Sequence, residues 1–70
     1  MIKEATFVSV WDHGFVLTTR CKVDMETKEV FDIDFADVHG LEVCEREYVT
    51  IDGTDYPVSN DKDSTEYWYN

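Results

Sequence analysis

Ala5-Thr6-Phe7-Val8-Ser9-Val10-Trp11, Asp12-His13-Gly14 and Phe15-Val16-Leu17-Thr18-Thr19-Arg20-Cys21-Lys22-Val23 are the stretch that decides the fold. The first run is rich in β-branched and aromatic residues. It stops at a three-residue turn signal, with Gly14 where a left-handed residue would fall. The second run sets Phe15, Leu17, Thr19, Cys21 and Val23 against Val16, Thr18, Arg20 and Lys22. That is period two, and no helical face can be drawn through it. A hairpin closed at 12–14 puts Trp11 opposite Phe15, Phe7 opposite Thr19, Ala5 opposite Cys21 and Glu4 opposite Lys22.

Outward from this hairpin, Asp24-Met25-Glu26-Thr27-Lys28 interrupts the alternation, and Val30 to Phe35 resumes it. A register in which paired residue numbers sum to 54 places Val23 opposite Phe31 and Cys21 opposite Ile33. The same register brings Lys22 opposite Asp32 and Arg20 opposite Asp34, pairs worth roughly 0.2–1 kcal/mol each. Phe7, Trp11, Phe15, Phe31 and Phe35 then share one face as the expected core. Val8, Val10 and Val16 lie on the other face and need a cover.

Further on, Ala36-Asp37-Val38-His39-Gly40 reads as a loop or a single helical turn, Leu41-Glu42-Val43 as a short strand, and Cys44-Glu45-Arg46 as a bend. Asp52-Gly53 between Glu47–Ile51 and Thr54–Val58 is a strong hairpin signal. It pairs Ile51 with Thr54 and Val49 with Tyr56. Pro57 cannot donate to a ladder, which predicts an edge strand. Ser59 to Thr65 is polar and expected to be mobile, and Glu66-Tyr67-Trp68-Tyr69 returns three aromatics in a row. The expected architecture is all-β: a small antiparallel meander or SH3-like barrel of about five strands. It occupies residues 1–58 as one domain, followed by a polar and aromatic C-terminal tail over 59–70. That tail either docks back on the domain or serves as a recognition segment.

Composition bounds the function. The 70 residues hold 16 Asp and Glu against 6 Lys and Arg, a net charge of −10. A surface that binds nucleic acid directly needs clustered cations, so that class is disfavoured. No apolar run approaches the roughly 18 residues of a membrane span. Two cysteines allow one disulfide at most, and no secretory h-region is seen, so free thiols in a cytoplasm are expected. Cys21 should point inward, and Cys44 should be the more reactive thiol.

Candidate chemistry is sparse. A zinc site from His13, Cys21, His39 and Cys44 fails because the strand rise separates His13 from Cys21 by more than about 20 Å. Asp61-Lys62-Asp63-Ser64-Thr65 lacks the glycine and the final glutamate of a calcium loop. No phosphate-binding glycine loop and no nucleophile triad is present, so no enzyme activity and no cofactor is expected. Acids concentrate instead in residues 24–47, where nine face two bases. The unpaired acids Asp37, Glu42, Glu45 and Glu47, with Tyr67, Trp68 and Tyr69, are the candidate partner-binding residues. Their chemistry suits a protein with a basic surface, including a DNA-binding face that an acidic mimic would occupy. The alternatives are an accessory or structural protein that self-associates through its sheet, and a small-ligand binder or orphan enzyme; monomer and homodimer both stay open.

Ser9-Val10-Trp11-Asp12 and Arg46-Glu47-Tyr48-Val49-Thr50-Ile51-Asp52-Gly53-Thr54-Asp55-Tyr56-Pro57-Val58 resemble a group of small acidic uncharacterised proteins of gut bacteria, often encoded near mobile genetic elements. The resemblance spans most of residues 1–58. It implies a bacterial, cytoplasmic protein and carries no activity or site residues with it.

Overall fold

The computed structural model describes residues 1–34, 44–60 and 66–69. Six strands form a closed antiparallel barrel: β1 (Ile2–Trp11), β2 (Val16–Asp24), β3 (Glu29–Phe31), β4 (Cys44–Ile51), β5 (Thr54–Asn60) and β6 (Glu66–Trp68). The order around the barrel is β1-β2-β3-β6-β5-β4. It is thus two three-stranded meanders, joined where β1 meets β4 and where β3 meets β6. This is the all-β SH3-like architecture expected from the sequence, with one strand more.

The first hairpin pairs as expected, including Phe7 with Thr19 and Ala5 with Cys21. Its turn places His13 and Gly14 at positive φ, 62° and 73°. Ile51 meets Thr54 and Val49 meets Tyr56 across a second turn in which Asp52 and Gly53 also take positive φ. Such turns match the right-handed twist of the flanking strands.

The β2–β3 register departs from expectation. Lys22 faces Phe31 and Val23 faces Val30, one residue out of step. Lys28 stands at φ 69° and adds a left-handed residue where the turn enters β3, which reverses the parity. Val30 therefore enters the core, and Phe31 turns outward. Asp32 takes φ 50°, and beyond it the Asp34 N–H donates to the Arg20 carbonyl at 3.1 Å. The expected opposition of residues 20 and 34 is restored there, and Lys22 keeps its ion pair with Asp32 at 3.5 Å.

Asp24 holds the intervening turn. Its Oδ1 accepts the Glu26 and Thr27 N–H groups at 2.8 and 3.2 Å, and these bonds keep its carboxyl below the ordinary value.

The core is small: Phe7, Cys21, Val23, Val30, Val49, Ile51 and Trp68, with Ala5, Met25, Ile33, Tyr56 and Val58 packed against it. Burial of such side chains contributes roughly 1.5–3 kcal/mol each. The aromatic face expected from period two is mostly not core. Phe7 is buried, but Trp11 is half-buried and Phe15 is 49% exposed beside the turn, beyond the packed interior. Val8 is buried although it lies outside this cluster, and Val16 is exposed.

Three further expectations change. Cys44–Arg46 is not a bend but the start of β4, where a one-residue bulge leaves Glu45 unpaired between Val10↔Arg46 and Trp11↔Cys44. Pro57 is not on an edge strand, because β5 lies between β4 and β6. Its ladder with β6 stops at Val58↔Trp68, and Tyr69 N–H donates to the Pro57 carbonyl without a return bond. The missing donor thus coincides with the end of the pairing. Finally, the barrel runs past the expected boundary at residue 58, since Glu66–Trp68 docks between β3 and β5 and closes it. The loop and strand expected over 36–43, the aromatic Phe35 and the polar stretch 61–65 lie outside the described residues.

Candidate interaction surface

Alternation along the strands sorts the expected site residues. Trp68 is 5% exposed and belongs to the core, its ring 4.7 Å from that of Tyr56 with Lys28 Nζ 5.1 Å from its centroid. It cannot serve as a recognition residue in the folded state. Tyr67 and Tyr69 flank it on the outside and are exposed. Glu45, the bulge residue, is exposed as well. Glu47 shares the inward parity of Val49 and Ile51 and is half-buried. Asp37 and Glu42 lie outside the described residues. The five described residues therefore do not form one exposed patch, since Trp68 is buried and Glu47 half-buried.

Glu47 has a consequence of its own. Burial pushes its carboxyl above the ordinary value. The folded state then binds a proton more readily than the unfolded chain, so this contribution is present in full below the unfolded pKa. It is lost as pH rises through the folded value. Glu47→Gln is expected to raise the thermal midpoint at pH 7 and to flatten its rise on acidification between neutral pH and about 4.5. Midpoints measured across that range for both proteins check this, and parallel curves would count against it.

The two thiols differ in setting. Cys21 is buried, and desolvation, with a smaller push from the Glu66 carboxylate, raises it to about 11. Cys44 is half-buried and its Sγ donates to the Arg46 carbonyl at 3.6 Å. Burial first, then the neighbouring Glu47, also raises its pKa. Both cysteines are free. Among the described residues no three His, Cys, Asp or Glu side chains group as a metal site, and no helix is long and apolar enough to cross a membrane.

The described residues line two open concavities of different size. The larger, about 720 Å³ and open, is lined by residues that include Thr6, Arg20, Lys22, Asp32, Thr50 and Asp52. Its charges are largely matched internally, by Lys22 with Asp32 and by Lys3 with Asp52 at 2.7 Å. The smaller, about 290 Å³, is lined by Arg46, Glu47, Tyr48, Asp55, Tyr56 and Pro57. Tyr48 and Pro57 face each other across β4 and β5, with inward Val49 and Val58 beside them in sequence. The Arg46 guanidinium lies 5.5 Å from the Tyr48 ring centroid. Thr50 Oγ1 donates to Asp55 Oδ1 at 2.6 Å and fixes that carboxylate at the same face.

Tyr48, Pro57 and Arg46 were not among the residues expected to bind. The Asp52-Gly53 hairpin does imply that Tyr48 and Pro57 stand together, because pairing Val49 with Tyr56 puts their neighbours opposite on the other face. That Tyr69 continues the same row depends on the β5–β6 contact, which no local pattern announces.

No protein-family model, curated protein or solved structure matches the chain.

Proposed function

We propose that the protein is a non-enzymatic interaction module that presents a net-negative surface to a basic protein partner, in the extreme form as a mimic of DNA. The observation that carries this reading is the internal commitment of four of its six cations. Lys3 and Lys22 are ion-paired with Asp52 and Asp32, while Lys28 and Arg46 lie over the rings of Trp68 and Tyr48. Sixteen acids against six bases leave a field that a cationic partner would sense from beyond contact range. Complementary charge acts chiefly on the association rate.

Self-association through a free sheet edge finds less support. Each described strand already has a neighbour on both sides, and closure removes the edges that such pairing uses. Small-ligand binding is disfavoured by the openness of both concavities, since ligand pockets enclose most of their ligand.

The test is association with an immobilised Arg- and Lys-rich peptide, with an Asp- and Glu-rich peptide as control. The association rate to the cationic peptide is expected to fall steeply from about 0.01 M to 0.15 M salt, as the Debye length shrinks from about 30 to 8 Å. Absence of binding at the lowest salt, or a rate indifferent to salt, would reject the reading.

A further inference from the structure

The outer face of β4, β5 and β6 carries an aromatic strip that the acidic composition does not explain. Tyr48 on β4 stands opposite Pro57 on β5, and Tyr69 follows β6 and hydrogen-bonds to Pro57. Neighbouring strands lie about 4.8 Å apart, so the row Tyr48–Pro57–Tyr69 spans about 10 Å across the barrel. One step along, Tyr67 stands opposite Ser59 on one side and Glu29 on the other. Pro57, Ser59, Tyr67 and Tyr69 are all exposed. The concavity between Arg46, Tyr48, Asp55 and Pro57 opens at the β4 end of the row.

We propose that this face is the docking site for an extended, arginine-containing segment of the basic partner, its guanidinium groups stacking on Tyr67 and Tyr69 and pairing with Glu29 and Asp55. The inference rests on the preceding functional reading and adds the location and the chemistry of contact. Two observations select the occupant. The molecule already places Arg46 against Tyr48 at the β4 end of the row, so a cation over an aromatic ring is a contact that its own side chains make on this face. The carboxylates of Glu29 and Asp55 lie beside the strip, and a net charge of −10 draws cationic groups to it. A second copy of the chain is a poor occupant, because it brings the same −10 charge. Arginine suits the site better than lysine, since its flat, weakly hydrated fork stacks on rings and bridges carboxylates at once.

The experiment uses the full chain and three peptides of equal length: arginine alternating with serine, lysine alternating with serine, and glutamate alternating with serine. Amide chemical shifts are followed during titration, and affinities are measured at moderate salt for the parent, for Tyr67→Ser/Tyr69→Ser, and for Glu26→Gln as a remote acid control. Shifts should concentrate at residues 46–48, 55–59 and 67–69, with arginine bound more tightly than lysine. The double tyrosine variant should bind about tenfold more weakly, because each exposed ring stack contributes a few-fold. Glu26→Gln should change affinity less than twofold. Both tyrosines are exposed, and an unchanged thermal midpoint checks that the variant is folded. Cationic binding spread over the whole surface and unaltered in the double variant would overturn this face while leaving the acidic-surface reading intact. No binding of either cationic peptide would overturn both. Concentration-dependent dimerisation that the double variant abolishes would overturn the assignment in favour of a second copy.

Discussion

Trp68→Ala is expected to cost about 3–5 kcal/mol, the usual toll of truncating a buried aromatic. A 70-residue domain has a total stability of roughly 3.5–10 kcal/mol, so the substitution should leave a large unfolded fraction at room temperature. The effect is this large because Trp68 serves two purposes. Its ring fills the interior against Tyr56, and its strand joins β3 to β5 and closes the barrel. Tyr69→Ala, one residue further and exposed, should cost no more than about 0.5 kcal/mol. Trp68→Phe should cost clearly less than the alanine variant. Phenylalanine keeps most of the buried area and removes an indole Nε1–H that is buried without a hydrogen-bond partner among the described residues. Denaturant midpoints of the three variants decide the matter. Equal midpoints for Trp68→Ala and Tyr69→Ala would mean that the C-terminal segment does not close the barrel in solution.

Native-state labelling should separate the thiols by roughly three orders of magnitude. Cys44 is half-buried at the start of β4, within reach of a small maleimide after minor opening. Cys21 is 3% exposed in the middle of the core, so its reaction waits for an opening that approaches global unfolding. A free energy of about 4–5 kcal/mol for that event suppresses its rate by roughly a thousandfold or more. Its high pKa of about 11 compounds the protection, because the thiolate is the reacting form. Cys44 also carries a raised pKa and should react more slowly than an unstructured cysteine at pH 7. Mass spectrometry during labelling should show one adduct long before the second, and denaturant at the unfolding midpoint should collapse the difference. Simultaneous modification of both in the native state would contradict the placement of Cys21. Resistance of both, relieved by a reductant, would contradict their free state.

Much of this architecture is determined locally. Period two over residues 5–23, with turn residues at 12–14 and Asp52-Gly53, specifies two hairpins whose registers match the structure pair for pair. Alternation dictates which side chains share a face, and turn chemistry dictates where the chain reverses, so neither needs knowledge of distant contacts. The same reasoning failed at β3, since the parity of a hairpin depends on the backbone conformation of one turn residue. Lys28 at positive φ is not announced by its side chain, as a glycine would have been.

The candidate surface divides the same way. The excess of acid follows from composition alone, and Tyr48 opposite Pro57 follows from the hairpin. Only tertiary structure decided that Trp68 is core rather than ligand, and that Tyr69 extends the row from Tyr48 and Pro57. Those outcomes depend on β6 inserting between β3 and β5, where Glu29 meets Tyr67 and Val30 meets Glu66, partners 38 and 36 residues apart in the chain. Such closure is selected by the burial of Trp68 among residues from both meanders, and no short-range pattern in the chain encodes that burial.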